Sequence, residues 1–180
     1  MIPDELSDSP VHGAIPPDDP RRQLTVADAN SGAGLRHLAL AGNVYSILIP
    51  GSATNGRYTL IEMRVPPGGG PPPHRHDVEE MFTVLEGSIR FTFRGLDIDV
   101  VAGTTVNIPA NAPHFFRNVS DRPARMLCMC APAGQEEYFA EVGAPLDSPT
   151  DSPPPLTEAE ESQQREKARR LAAKYRSELL

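Results

Sequence analysis

The chain has 180 residues, 39% of them hydrophobic and 6% aromatic, so its length allows one domain with a modest core plus tails. Its formal net charge of -7 disfavours nucleic acid and anionic membrane surfaces as partners, because both would repel an acidic protein. We find neither a run of roughly 18 apolar residues nor a signal-peptide pattern, and we therefore expect a cytoplasmic protein.

Proline-rich stretches at both ends of the chain and turn residues between them divide the sequence into three predicted regions. We predict a flexible N-terminal arm over residues 1–34 and a barrel with a short edge helix over residues 35–143. Residues 144–180 are predicted to form a proline-rich linker followed by an amphipathic helix. No internal repeat is seen, so we expect a single barrel.

The predicted barrel consists of short runs of β-branched and aromatic residues separated by Gly, Pro, Asn and Asp, a pattern typical of an all-β sandwich or barrel. In SIRFTFR, apolar residues alternate with polar ones, which predicts one buried and one solvated face. In EEMFTVLE both faces carry apolar side chains, which predicts a strand covered on both sides by a homodimer interface. The predicted strands are HLALAGNVYSILIP, RYTLIEMRV, EEMFTVLEG, SIRFTFRG, LDIDVVAG, TTVNIPA, HFFRNV and ARMLCMCAP.

Two cysteines, Cys128 and Cys130, lie in the last of these strands. Residues two apart in an extended chain point the same way, a geometry that disfavours a mutual disulfide. A metal site built on this pair would need a second close pair or flanking histidines, which the sequence lacks. We therefore expect two reduced, buried thiols.

Two helices are predicted after the barrel. GQEEYFAEVG is predicted to form a short helix that ends at Gly143 and packs on the barrel edge. Thr157 and Glu160 have the spacing of a capping box at the start of a second helix. The apolar stripe of this second helix needs a covering surface, which also favours a homodimer. The stripe consists of Ala168, Leu171, Ala172, Tyr175 and Leu179.

Three of the five histidines have the spacing of metal ligands. His74 and His76 share a face in an extended chain, and Glu80 has the same parity if the strand stays regular. Two imidazoles and one carboxylate form a common platform for divalent transition metals. His114 would join them from a neighbouring strand, after a turn fixed by proline. His12 and His37, by contrast, are expected to be ordinary solvent-facing or capping residues.

These residues belong to two blocks that resemble the two motifs of the cupin family. The first block covers residues 68–87 and the second covers residues 103–118. The sequence departs from the motifs at one position, Asn111, where the family has glycine; asparagine tolerates the left-handed backbone that glycine supplies, so we expect the turn to be kept. The matching positions are Gly68, His74, His76, Glu80 and Gly87 in the first block, and Gly103, Pro109, His114 and Asn118 in the second.

This resemblance implies an all-β cupin jelly-roll barrel with short C-terminal helices, usually assembled as a dimer. It also implies that one divalent transition metal (Fe, Mn, Ni, Co, Cu or Zn) is held by His74, His76, Glu80 and His114. Flanking segments resemble single-domain cupins labelled quercetin dioxygenase-like. In such a protein, a flavonol or other enol would be cleaved with O2, with Glu80 as ligand and catalytic base and with Phe82 and Phe116 lining the substrate pocket.

Two other classes of function remain open on the sequence. A metal-dependent isomerase, cyclase or decarboxylase would use the metal as a Lewis acid without O2. A small-molecule binding module would retain its ligand without turnover. Consumption of O2 would distinguish the dioxygenase from both of these classes.

Overall fold

Two antiparallel sheets enclose the core, which confirms the predicted jelly-roll fold. The computed structural model describes residues 15–180. The strands are β1 (Arg36–Leu40), β2 (Asn43–Ile49), β3 (Thr59–Val65), β4 (His74–His76), β5 (Glu79–Glu86), β6 (Ser88–Phe93), β7 (Leu96–Val101), β8 (Thr105–Ile108), β9 (His114–Arg117), β10 (Ala124–Ala131), β11 (Ala144–Leu146) and β12 (Ser177–Leu179). The helices are α1 (Gln135–Val142) and α2 (Glu158–Ala172).

The sheets differ in size and in the parts of the chain that they use. The larger sheet has the strand order β11-β1-β2-β3-β10-β5-β8, and the smaller one has the order β12-β4-β9-β6-β7. Side chains alternate along the strands, so β5 buries Phe82 and Val84 between the sheets. Phe91 on β6 and Phe116 on β9 meet Phe82 there, with ring centroids 5.1 and 5.7 Å from that of Phe82. This aromatic group anchors one sheet on the other.

The segment HLALAGNVYSILIP, predicted as one strand, forms the hairpin of β1 and β2. Ala41 and Gly42 make the turn, with φ values of 51° and 75°. A left-handed backbone is easy for glycine and uncommon for alanine. The pair Ala-Gly is therefore a weaker indication of a hairpin turn than Asn-Gly, Asp-Gly or Gly-Gly.

The helix α1 has the predicted place and ends at Gly143, whose N–H donates to the carbonyl of Phe139. The prediction for the second helix is corrected at its end, because α2 stops at Ala172. A short 3-10 turn follows, and Arg176 takes a φ of 54° that turns the chain into β12. Leu179 is therefore a strand residue and does not continue the helical stripe.

The apolar stripe of α2 packs on its own chain. Ala172 is buried, and the Tyr138 hydroxyl donates to the carbonyl of Ala168 at 3.2 Å, which joins α1 to α2. The chain's own helices thus cover part of the stripe, and the predicted homodimer stays a prediction. The capping box predicted for Thr157 and Glu160 is present at the start of α2.

His37, predicted to be a solvent-facing or capping residue, is buried, which corrects the solvent-facing alternative. Its Nδ1 lies 2.8 Å from the Ser46 hydroxyl and its Nε2 lies 3.0 Å from the carbonyl of Gly32, so both ring nitrogens are satisfied away from water. His12 and the rest of residues 1–14 of the predicted arm lie outside the described residues. In the described part of the chain, no helix is long and apolar enough to cross a membrane.

Candidate metal centre

The predicted ligands come from both sheets. His74 and His76 lie on β4 in the smaller sheet, whereas Glu80 lies on β5 in the larger one. The condition that one regular strand runs through these residues is therefore not met. The chain crosses between the sheets at Asp77 and Val78, and this crossing brings the carboxylate of Glu80 to the imidazoles.

His114 enters from β9, where it pairs with His74 on β4. The turn before β9 contains Asn111, whose φ of 67° confirms the expected left-handed conformation. The backbone N–H of Asn111 donates to the carbonyl of His76 at 2.8 Å. The turn of the second block is thus tied directly to the histidine strand of the first block.

The four predicted ligands converge on one point. One donor atom from each of His74, His76, Glu80 and His114 lies within 4.8 Å of the others. Glu80 Oε2 lies 3.0 Å from Nε2 of His76 and 3.1 Å from Nε2 of His114. The ring centroids of His74 and His114 are 4.4 Å apart, so His74 packs directly against the other members of the cluster.

Each imidazole is oriented through its other nitrogen. Nδ1 of His74, His76 and His114 lies 2.8, 3.2 and 2.8 Å from the carbonyl oxygen of a residue two positions away. A carbonyl partner accepts a hydrogen bond from Nδ1 and fixes the ring orientation. Nε2 then donates to Glu80 when it carries a second proton and is free to bind a metal when it does not. Nε2 of His76 and of His114 faces Glu80 at the centre of the cluster.

Burial and mutual contacts set the protonation of the cluster. Burial, with a further contribution from His114, lowers the pKa of His74 to about 4, which keeps this imidazole neutral at neutral pH. Burial would raise the pKa of Glu80, but hydrogen bonds from His114 and His76 hold it well below its usual range. Burial would lower the pKa of His76, and its hydrogen bond to Glu80 raises it. Imidazole and carboxylate donors in this arrangement fit a divalent transition metal.

The two cysteines lie behind Glu80, on the side away from the imidazoles. Sγ of Cys128 is 3.2 Å and Sγ of Cys130 is 3.7 Å from Glu80 Oε1, and the two sulfurs are 3.6 Å apart. Both thiols are free and buried, as predicted. Their contact with the cluster was not predicted, because it depends on the pairing of Cys130 with Glu80 across β10 and β5.

A cavity of about 510 Å³ adjoins the cluster. His74, His76 and Glu80 line the cavity, and most of the rest of its wall is apolar. The aromatic side chains of Tyr45, Tyr138 and Phe139 form part of this wall, with the Tyr45 and Phe139 ring centroids 4.9 Å apart. These residues were missed from the sequence, in which they read as ordinary core or helix positions.

Phe82 and Phe116 do not line this cavity, which corrects the predicted pocket. Each is 2% exposed and packed in the core, with the ring centroids 5.7 Å apart. They share the inward face with Glu80 and His114, but each lies two residues further along its strand, where the sheets close on each other. The wall is supplied instead by α1 and by residues 156–180, here called the cap segment, which contributes Leu156, Gln164 and Ala168.

Comparison with known proteins places the barrel in one family. A family profile described as Cupin domain matches residues 61–130. The chain is 28% identical over 118 residues to quercetin 2,3-dioxygenase of Bacillus subtilis (strain 168), an alignment that covers 65% of this chain and 34% of that enzyme. It is 30% identical over 95 residues to an uncharacterized protein of Methanocaldococcus jannaschii, covering 52% of this chain and 76% of that protein. The chain thus spans about a third of the length of the Bacillus enzyme.

A solved structure shows the same fold. Polyketide cyclase RemF of Streptomyces resistomycificus superimposes with a TM-score of 0.53 and 22% identity, over 76% of this chain and 89% of that chain. At this level of identity the likeness shows the fold alone.

Proposed function

The chain belongs to the cupin superfamily, and on that premise we propose that it is a metal-dependent dioxygenase that cleaves a flavonol-like or other enol substrate with O2. One observation carries the proposal: three imidazoles and one carboxylate converge on one point, and two of the imidazoles and the carboxylate line a mostly apolar cavity. The similarity to quercetin 2,3-dioxygenase supports the choice of reaction, although it covers only a third of that enzyme.

His74, His76, Glu80 and His114 are the residues that would hold the metal. When bound, a divalent transition metal supplies a Lewis-acidic centre that favours the ionised form of an enol and, if it is redox-active, the reaction with O2. Fe, Mn, Ni, Co, Cu and Zn all accept this donor set, so the ligands do not select among these metals.

Glu80 is the proposed proton acceptor. Its Oε2 faces the imidazoles, and the low pKa of Glu80 keeps the carboxylate ionised and ready to accept a proton from an enol hydroxyl beside it. A strongly lowered pKa weakens a base, so the contacts with His76 and His114 have to relax as the proton arrives. Glu80 thus combines two proposed roles, ligand and base.

The cavity wall favours a flat, largely apolar substrate. Tyr45 and Phe139 meet at a ring-centroid distance of 4.9 Å, and Tyr138 extends the same wall with its ring centroid 6.0 Å from that of Phe139. Aromatic rings stack favourably on such surfaces and exclude water from the reacting atoms.

An oxygen-electrode screen tests the proposal. Protein loaded with each candidate metal is mixed with flavonols and other enols, and we expect substrate-dependent O2 uptake that requires the metal. The matched control is His76→Ala, which lacks one ligand and should consume no O2. Turnover without O2 uptake would replace the dioxygenase by an isomerase, cyclase or decarboxylase, and ligand retention without turnover would indicate a binding module.

We further propose that the protein is a homodimer. Apolar side chains on the outer face of β3, β10 and β5 lie side by side and are only partly buried by their own chain. They are Leu60, Met81, Leu85, Leu127 and Met129. A second copy would cover this patch, as is common for contiguous apolar surface on a folded protein.

Light scattering at micromolar concentration should give twice the chain mass of 19.5 kDa. Leu127→Glu places a charge within the patch and should give the monomer mass. Leu96→Glu changes an exposed leucine on β7, outside the patch, and should leave the dimer intact. A monomer mass for the parent protein would contradict the proposal.

A further inference from the structure

The two oxygens of the Glu80 carboxylate have different surroundings. Oε2 faces the Nε2 atoms of His76 and His114 at 3.0 and 3.1 Å. Oε1 faces the interior of the barrel, where the thiols of Cys128 and Cys130 approach it at 3.2 and 3.7 Å. All five residues are at least 95% buried.

The fold places the two thiols at Oε1. Cys130 pairs with Glu80 across β10 and β5, and Cys128, two residues earlier, points to the same side of the sheet. Within residues 15–180, the hydrogen bonds that reach Oε1 come from these two thiols. Each is a weak donor, but both act on one oxygen in a site from which water is excluded.

We propose that Cys128 and Cys130 are positioning residues that hold Glu80 as a one-oxygen ligand of the metal centre. The inference rests on the metal site proposed above. The terminal torsion of a glutamate is broad, so a free carboxylate could rotate and present both oxygens. Thiol hydrogen bonds to Oε1 restrict that rotation and keep Oε2 among the imidazoles. Neutral thiols suit this position, because they are more easily buried than hydroxyl groups.

Cobalt binding tests the positioning role without any substrate. Co2+ is titrated against a competing chelator, and the visible d-d absorption bands report the geometry of the ligands. Replacing both thiols, in Cys128→Ala with Cys130→Ala, should weaken Co2+ binding about 10-fold or more and shift the bands, the usual effect of losing partners behind a ligand. The matching serine variants keep a donor at each position and should bind Co2+ within about threefold of the parent.

The single variants and a packing control sharpen the result. Cys128→Ala should have the larger effect, because its sulfur is the closer of the two to Oε1. Val84→Ala removes buried methyl groups from β5, the strand of Glu80, and should lower stability while leaving Co2+ affinity unchanged. The proposal is overturned if the double alanine variant binds Co2+ within about twofold of the parent, or if Val84→Ala weakens binding equally.

An infrared measurement separates this proposal from the metal site itself. The chain has only two cysteines, so the S–H stretching band of protein without added metal has two contributors, which the single serine variants assign. Hydrogen bonding to Oε1 lowers the stretching frequency, and Glu80→Ala should therefore move the band to higher frequency. An unchanged band would overturn the positioning role, whereas a shifted band in a protein that binds no Co2+ would overturn only the metal site.

Discussion

The barrel strands and the cap segment contribute different residues to one cavity: the strands carry the cluster, and the cap segment carries part of the wall. The four cluster residues lie within or beside β4, β5 and β9, at the heart of the region that matches the cupin profile. The cap segment, residues 156–180, lies outside that match and adds no residue to the cluster, yet it lines the cavity that the cluster faces. The barrel thus supplies the whole cluster, whereas the cavity wall is shared between the barrel, α1 and the cap segment.

The cap segment is fastened to the histidine strand. β12 pairs with β4, so that Leu179 lies opposite His74 and Ser177 opposite His76. Ion pairs join Arg176 to Asp77 and Glu178 to Arg75 on the same edge. These exposed pairs add little stability individually, but with the strand pairing they fix where α2 meets the cavity. Changes on the cavity side of α2 should therefore alter substrate binding and leave the metal in place.

The largest expected effect is the loss of metal when a cluster histidine is replaced. His76→Ala deletes a ligand from a position that nothing else can fill, and the protein should retain less than about a tenth of an equivalent of metal and no activity. The parent protein should carry close to one equivalent, measured by elemental analysis after purification without chelator. His37→Ala, a buried histidine remote from the cluster, should lose stability but keep its metal. Equal metal loss in both variants would contradict the division between cluster and scaffold.

Glu80→Gln tests whether Glu80 acts as a base in addition to its role as a ligand. The amide keeps the shape of the side chain but lacks the charge and basicity of the carboxylate, while three imidazoles can still bind the metal. We expect turnover to fall by about 100-fold or more, with much of the metal retained. Glu79→Gln is the matched control, because Glu79 is exposed and accepts a hydrogen bond from the Asn107 side chain outside the cavity. Full turnover in Glu80→Gln would show that Glu80 is not the base.

The spacing of the ligands in the two motif blocks was enough to predict the cluster. It did not predict the path of the chain between His76 and Glu80. His74, His76, Glu80 and His114 were identified although the strand crosses between sheets at Asp77, a crossing that parity alone cannot reveal. The turn at Asn111 was also predictable, since few residues accept its left-handed backbone.

The cavity wall could not be predicted in the same way. The cap segment reaches the cluster through β12, three residues that carry no strand signal in the sequence and were assigned to a helix. Without that contact, Phe82 and Phe116 were the nearest apolar candidates for a pocket, and the structure places both in the core. Long-range pairing, rather than local pattern, determines which residues line the cavity.

A smaller effect is expected from the cap segment. Ala168 lines the cavity from α2, and Ala168→Leu places extra methyl groups where the substrate would lie. We expect KM to rise by about 10-fold with metal content unchanged, in line with the cost of one or two misplaced methyl groups in a pocket. Glu166→Leu makes a similar change on the exposed side of α2 and should leave KM unaltered. Loss of metal in Ala168→Leu would show that the cap segment and the cluster are not separable.

The smallest effect concerns acid stability, which should also reside in the cluster and not in the cap segment. The pKa of His74 is lowered to about 4 by burial and by His114, whereas a histidine in the unfolded chain has its usual pKa of 6.5. Between these values the unfolded chain binds a proton that the folded protein does not, so the free energy of unfolding falls as the pH is lowered from 6.5 to 4.

The lowered pKa of Glu80 acts in the same direction but at lower pH, since its contribution is lost only as the pH falls below the usual value of 4.5. The raised pKa of His76 acts in the opposite direction, because its contribution is present below 6.5 and is lost as the pH rises through the raised value. His74→Gln should therefore flatten the acid side of the stability curve without removing it.

Urea denaturation of chelator-treated protein at pH 6.5 and pH 4.5 measures this contribution. We expect His74→Gln to lose about 1 to 2 kcal/mol less than the parent across that interval, a range discounted because the ring is not fully shielded from water. Glu160→Gln is the control in the cap segment, because hydrogen bonds from Thr157 lower the pKa of Glu160 below its usual value of 4.5. Its curve should parallel that of the parent over this interval. If Glu160→Gln flattened the curve and His74→Gln did not, the acid sensitivity would belong to the start of α2, and burial would hold His74 neutral at no cost to stability.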